Sequence, residues 1–143
     1  MTDPVSYDLI VIGAGQGGGP LAGAVAEAGH DVALLERRHV GGTCVNRGCT
    51  PTKTMIASAR VAHLARRAGD YGVETGDVSV DLETVRQRKR DIVGMFRSGS
   101  RSSIEEKDTL DLIEGDGRLV DPNTVEVALN GDIDDGAPRA LTA

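Results

Sequence analysis

The first third of the chain alternates between short apolar runs and one glycine-rich interval. Val5–Ile12 is rich in apolar, β-branched residues and is predicted to be one short strand buried on both faces of a sheet. Gly13–Gly19 is predicted to be a loop, and the alanine-rich segment Leu21–Ala28 a helix that ends at Gly29. Asp31–Glu36 is a second buried strand. This order predicts a βαβ unit with two parallel strands.

The middle of the chain has a helical pattern. Thr43–Ala68 is predicted to be a long helical stretch with a disturbed start, followed by a connection at Asp70–Asp77. Asp81 suits the N-cap of a second helix. We expect that helix to cover Leu82–Lys107, with an interruption at Ser98–Ser100.

Strand patterns return in the last third of the chain. Leu110–Glu114 is predicted to be a third strand of the parallel sheet. Gly117–Val120 and Thr124–Leu129 flank the Pro-containing turn Asp121–Asn123, which predicts a hairpin. Arg139–Ala143 begins a further strand. A length of 143 residues allows one α/β domain at most.

Composition and charge exclude some classes of function. The net charge is −6, and the acidic excess lies in the C-terminal quarter. A protein that binds the phosphate backbone of nucleic acid needs the opposite sign. The aromatic residues are two Tyr and one Phe, too few for base-stacking surfaces. We therefore expect no nucleic-acid partner.

The uncharged segment Leu9–Ala26 is long enough to be considered as a membrane span. It divides into a strand-like half and a glycine loop, and its hydrophobicity is modest. A secretory signal would require a Lys or Arg before its apolar segment, and none precedes Leu9. These features predict a cytoplasmic protein without a membrane segment.

The glycine interval has the pattern G-x-G-x-x-G between a predicted strand and a predicted helix. In this context Gly13 allows a tight turn, Gly15 lets a pyrophosphate approach the backbone, and Gly18 lets helix and strand pack closely. Glu36 ends the second strand, where a carboxylate accepts hydrogen bonds from ribose hydroxyls. The pattern predicts a dinucleotide site. Arg37 and its neighbour Arg38 would suit the 2′-phosphate of NADP, whereas Glu36 would repel that phosphate. The pattern does not separate FAD from NAD.

Both cysteines of the chain, Cys44 and Cys49, lie in the segment GGTCVNRGCTPTK. Because His63 is the only histidine after them, they cannot complete a zinc site, and we predict no metal. A redox-active disulfide is favoured over two unrelated thiols. Residues five apart on an ideal helix have Cα atoms roughly 8.7 Å apart, whereas a disulfide needs less than about 7 Å. A bonded pair would therefore distort the helix, with Gly48 and Pro51 allowing the distortion.

The cysteine segment resembles the redox-active segment of the pyridine nucleotide-disulfide oxidoreductases. This family includes dihydrolipoamide dehydrogenase, glutathione reductase and mercuric reductase, and the likeness is greatest to the mercuric reductase and dihydrolipoamide dehydrogenase branch. It extends from YDLIVIGAGQGG, which begins at Tyr7, to the hairpin GRLVDPNTVEV. The resemblance implies a Rossmann-like FAD-binding domain with three layers, made of a parallel sheet and a small β-meander, and incomplete at its C-terminus.

The resemblance also implies roles for single residues. Cys49 would be the charge-transfer cysteine beside the flavin and Cys44 the interchange cysteine that meets substrate. Helix N-termini are expected to lower the pKa of both thiols. Lys53 would lie near flavin N5. The other residues implied to bind FAD lie along the nucleotide: Gly13, Gly15, Gln16, Gly17 and Gly18 in the loop, Glu36 at the ribose, Gly42 and Thr43 near the pyrophosphate, and Gly117 at the adenine.

The implied activity is NAD(P)H-dependent reduction of a small-molecule disulfide, a quinone or a soft metal ion. Family members are several times longer and homodimeric, so we expect a homodimer in full-length form and a fragment that is inactive alone. The alternative is a non-catalytic flavin-binding or thiol-relay module that another polypeptide completes.

Overall fold

The structure is a computed structural model that describes residues 5–130 and 139–143. The chain divides into two compact units, one formed by Met1–Gly42 with Arg97–Ala143 and the other by Thr43–Phe96. Six strands are described: β1 (Val5–Ser6), β2 (Leu9–Ile12), β3 (Val32–Glu36), β4 (Leu110–Asp121), β5 (Thr124–Leu129) and β6 (Arg139–Thr142). Four α-helices are described: α1 (Gly18–Glu27), α2 (Gly42–Asn46), α3 (Cys49–Arg66) and α4 (Leu82–Glu105).

The strands form one sheet in the order β1-β6-β5-β4-β3-β2. β2, β3 and β4 are parallel, with Leu9 opposite Val32 and Val32 opposite Leu110. β4, β5 and β6 are antiparallel neighbours, and β1 pairs with β6 in parallel. The mixed α/β fold and the predicted βαβ unit are therefore confirmed. β4 pairs with β3 along its first half and with β5 along its second half.

The predicted strand Val5–Ile12 is wrong, because it is two strands with different neighbours. β1 pairs with β6, whereas β2 pairs with β3. The chain changes partner at Tyr7 and Asp8: the backbone N–H of Tyr7 donates to the Thr142 carbonyl, and the Asp8 carboxylate accepts the N–H of Asp31. Ser6 and Asp8 are the polar residues of this segment, and they lie where the change of partner occurs.

The two strands predicted within residues 110–120 are one strand, β4. The strand runs through Gly115 and Gly117. A Cβ at Gly115 would lie 2.6 Å from the carbonyl oxygen of Ala128 on β5. The glycine thus permits a close approach between paired strands instead of ending one.

The core of the first unit is aliphatic and lies on both faces of β3. Val32 and Leu34 belong to a cluster that includes residues of α1, and Ala33 and Leu35 belong to a second cluster with residues of β4, β5 and β6. All four side chains are at most 1% exposed. β3 is therefore the doubly buried strand that its continuous apolar sequence predicts.

The helices of the chain keep some of the predicted boundaries. The disturbed start predicted after Thr43 is confirmed, because α2 ends at Asn46 and α3 begins at Cys49. The Asp81 carboxylate caps α4 by accepting the backbone N–H groups of Glu83 and Thr84. The predicted interruption at Ser98–Ser100 is wrong, because α4 is continuous to Glu105. One interior glycine costs a helix only about 1 kcal/mol, which 24 residues can absorb.

Within residues 5–130 and 139–143, no helix has the length and the apolar character needed to cross a membrane.

Candidate functional site

The glycine loop joins the end of β2 to the start of α1. Gly13 has a φ of +103°, a conformation that L side chains rarely adopt. A Cβ at Gly18 would lie 2.0 Å from the carbonyl oxygen of Gly13. The backbone itself therefore requires glycine at the first and the third position of the motif.

Gly15, the second glycine of the motif, is different. A Cβ there would meet only the Cα of Gly42, at an ordinary contact distance of 3.9 Å. Gly15 lines a cavity of about 410 Å³ that also includes residues of α1 and of the end of α4. Nothing in the described part of the chain requires glycine at this position. The open space fits a ligand that approaches the backbone, which is the role that the motif assigns to this residue.

Glu36 holds its carboxylate next to the glycine loop. One carboxylate oxygen accepts the backbone N–H of Ala14 at 3.0 Å. The other accepts the N–H groups of Arg38 at 2.8 Å and His39 at 3.2 Å. These three donors lie on both sides of β3 in the sequence, so they fix the direction of the carboxylate.

The segment Gly41–Gly42 packs against the glycine loop. The N–H of Gly41 donates to the Ala14 carbonyl at 2.8 Å, and the Gln16 amide donates to the Gly41 carbonyl at 3.3 Å. Gly42 has a φ of +60°, and a Cβ there would lie 2.8 Å from the Cα of Gly15. Gly41 and Gly42 therefore lie against the loop.

A second cavity, of about 370 Å³, lies beside Glu36. It is lined by Ile12 and Gly13, by Leu35–Arg37, and by Gly115–Gly117 of β4. The structure thus brings Gly117, the residue implied to touch adenine, into one cavity with the residue implied to bind ribose. A Cβ at Gly117 would lie 2.5 Å from Leu35 Cδ1.

The cysteine pair lies at the break between α2 and α3, within the second unit. The Thr43 carbonyl accepts the N–H of Gly48 at 2.8 Å, and a Cβ at Gly48 would lie 3.2 Å from that oxygen. The helix cannot continue regularly past this point, so α3 starts anew at Cys49. This is the distortion that a close approach of Cys44 and Cys49 demands.

The two thiols interact with each other. Cys44 is half-buried and Cys49 is exposed, and both are free thiols in the structure. Hydrogen bonding to Cys49, together with burial, raises the pKa of Cys44, while the charge of Lys53 lowers it by less. The expectation that the pKa of Cys44 is lowered is therefore wrong, because the neighbouring thiol outweighs the cation.

The sequence matches the family described as "Pyridine nucleotide-disulphide oxidoreductase" over residues 7–137. This match includes the glycine loop, Glu36 and both cysteines. The chain belongs to this family.

Curated relatives of the family cover much of this chain. It is 38% identical over 117 residues to a dihydrolipoyl dehydrogenase of Bacillus subtilis, which is 82% of this chain and 24% of the relative. It is 36% identical over 122 residues to a mercuric reductase of Lysinibacillus sphaericus, which is 85% of this chain and 22% of the relative. It is 37% identical over 127 residues to a dihydrolipoyl dehydrogenase of Acholeplasma laidlawii, which is 88% of this chain and 37% of the relative. The chain therefore spans between 22% and 37% of the length of these relatives.

The predicted site residues of this family member divide between the two units. The first unit contains Gly13, Gly15, Gln16, Gly17, Gly18, Glu36, Gly42 and Gly117, and the second contains Thr43, Cys44, Cys49 and Lys53. Among the described residues, no group of three or more His, Cys, Asp or Glu could hold a metal ion.

The sequence did not indicate three residues that contact Glu36, the glycine loop or Arg37. Ala14 holds Glu36 through a backbone N–H, Gly41 packs against the loop, and Asn130 donates to the Arg37 carbonyl. The first two act through backbone atoms, so their side chains carry no signal. Asn130 follows a strand that was predicted correctly, but its partner lies 93 residues away in the chain.

Proposed function

We propose that this chain is the FAD-binding, disulfide-bearing segment of an NAD(P)H-dependent disulfide or metal-ion reductase. The observation that carries the proposal is the pair of interacting thiols at the break between α2 and α3, in a chain of this family. Members of the family use FAD and NAD(P)H. In this proposal residues 1–143 are the N-terminal portion of a Rossmann-like, three-layer FAD-binding domain.

The residues of the first unit suit one end of FAD. Gly13–Gly18 would hold the pyrophosphate, supported by the open space at Gly15 and by the start of α1, where the positive end of the helix dipole favours an anion. Glu36 would hold ribose hydroxyls and Gly117 would adjoin the adenine, supported by the cavity that they share. Gly42, which packs on the loop, would also adjoin the pyrophosphate.

The residues of the second unit would carry the chemistry. Thr43 would lie near the pyrophosphate and Lys53 near flavin N5. The charge of Lys53 also acts to lower the pKa of Cys44. FAD, when bound, would supply two electrons taken from NAD(P)H to reopen the Cys44–Cys49 disulfide. Cys49 would face the flavin and Cys44 would face the substrate.

Disulfide exchange gives each thiol one task. The thiolate of Cys44 attacks a substrate disulfide, forms a mixed disulfide and releases one substrate thiolate. The thiolate of Cys49 then attacks the Cys44 sulfur, releases the second substrate thiol and restores the protein disulfide. The substrate gains two electrons and the cysteine pair loses two. Thiolates are also soft ligands, which suits a soft metal ion.

The substrate and the assembly are inferred from the relatives. Family members act on lipoamide or on mercuric ions, so we propose a small disulfide, a quinone or a soft metal ion as substrate. We propose that the whole enzyme is a homodimer of the cytoplasm.

Thiol counting tests the redox pair directly. In air-oxidised protein, unfolded in denaturant, we expect no reactive thiol, and borohydride should raise the count by two. Cys44→Ser and Cys49→Ser should each leave one thiol that does not change on reduction. Two reactive thiols in the oxidised protein, or a disulfide formed only between chains, would contradict the proposal.

A further inference from the structure

A gap opens in the sheet where β4 changes its neighbour. Up to Glu36 and Glu114, β3 and β4 are paired in parallel register. From Gly115 onward, β4 pairs with β5 instead. The 370 Å³ cavity lies at this divergence, with Glu36–Arg37 on one side and Gly115–Gly117 on the other. Its width is therefore not set by strand pairing between its two walls.

Asn130 is hydrogen-bonded to both walls of this cavity. Its side-chain amide donates to the carbonyl of Arg37 at 3.1 Å, and its backbone N–H donates to the carbonyl of Glu114 at 2.9 Å. Arg37 follows the ribose-side carboxylate of Glu36, and Glu114 precedes Gly115. One residue thus holds the end of β3 and the middle of β4 at a defined separation.

We propose that Asn130 is a positioning residue that sets the width of the slot for the adenosine part of the nucleotide. The inference rests on the proposed function, because it takes the bound nucleotide to be FAD. A flat base needs two backbone walls at a fixed distance, and the ribose hydroxyls need a carboxylate that does not move. Asn130 fixes the distance between the walls through both of its hydrogen bonds. It also supports the carboxylate of Glu36 through Arg37, the next residue in the chain.

The chain offers a matched control for this residue. Asn123, in the turn between β4 and β5, donates its side-chain amide to the carbonyl of Ala143 at 2.6 Å. Its backbone N–H donates to the Asp121 carboxylate. Both asparagines are exposed, and both fix a distant carbonyl by the same chemistry. Only Asn130 fixes a wall of the cavity.

The test compares Asn130→Asp with Asn123→Asp in titrations with FAD and with ADP. Each isosteric change removes an amide donor and sets a carboxylate against a carbonyl. We expect N130D to weaken FAD and ADP by the same factor of about five, which corresponds to about 1 kcal/mol. N123D should change either affinity by less than about twofold, since it lies away from the cavity. The two variants should have similar urea midpoints.

Asn130→Ala, which removes the donor without adding a repulsive charge, should weaken both ligands in the same direction by a smaller factor and serves if N130D does not fold. Unchanged affinity in N130D and N130A, or an equal loss in N123D, would overturn the role of Asn130. Wild-type protein that binds neither FAD nor ADP would overturn the proposed cofactor, and this inference with it.

Discussion

The unit that carries the glycine loop and the unit that carries the cysteines are stabilised in different ways. In the first, β3 is buried on both faces and two aliphatic clusters surround it. In the second, the buried side chains among the described residues are Val45, Thr54 and Val93. Many of its large apolar side chains are exposed instead, including Met55, Ile56, Val61, Leu64, Met95 and Phe96.

This difference suits the role that we propose for each unit. A nucleotide is held by backbone atoms at exact positions, which a packed sheet provides because its strands cannot shift independently. A thiol pair that opens and closes needs a local change in helix geometry, which a sparsely packed segment tolerates. The features of the second unit that look unfavourable for stability therefore suit the proposed exchange chemistry.

The largest effect that would separate the two units is on the cofactor. Gly15→Val places a side chain in the open space beside the loop, and we expect FAD affinity to fall by about 100-fold. Gly69→Val makes the same change at a position that lines neither of the two cavities and where a Cβ meets nothing within 4 Å. That control should keep FAD, as measured by quenching of flavin fluorescence on titration.

The same Gly15→Val protein should form its cysteine disulfide as the wild type does. Flavin binding that is unchanged in the variant would contradict the assignment of this loop. Loss of the disulfide along with the flavin would contradict the separation between the two units.

A core truncation compares their contributions to stability. Leu34→Ala removes a fully buried side chain of β3, and the free energy of unfolding should fall by about 3 kcal/mol. Leu64→Ala removes a side chain of α3 that is 50% exposed, and the change should stay within about 0.5 kcal/mol. Urea denaturation measures both. Similar losses of unfolding free energy in the two variants would contradict this difference, because Leu64 would then contribute as much to stability as Leu34.

The smallest expected effect concerns the thiol pair alone. Because hydrogen bonding to Cys49 raises the pKa of Cys44, less Cys44 is thiolate at pH 8 than in an ordinary thiol. Cys49→Ala removes that partner, so the pKa of Cys44 should fall and its alkylation at pH 8 should become severalfold faster. The alkylation rates of Cys44 in the wild type and in the variant should converge at high pH, where Cys44 is fully ionised in both proteins.

Lys53→Ala should change the pKa of Cys44 in the opposite direction and raise it, because the charge of Lys53 lowers that pKa. Alkylation of Cys44 in reduced protein, followed by mass spectrometry, should then be slower at pH 8. If both variants moved the rate in the same direction, the two thiols would not interact as described.

The sequence by itself determined the local features of this protein. Strand, glycine loop, helix and strand follow from apolar runs and from the conformations that glycine allows, and these depend on neighbours in the chain. The Asp81 cap and the broken helix at Gly48 were predictable for the same reason, since both are interactions within a few residues. The cysteine segment was sufficient to indicate the family.

The tertiary structure alone decided which distant groups meet. It divided Val5–Ile12 between two neighbours, joined the two predicted segments of β4, and connected Asn130 to Arg37. In each case the energy comes from a hydrogen bond or a packing contact with a partner that no local pattern identifies. Periodicity predicts which faces are buried, but only the folded chain determines what buries them.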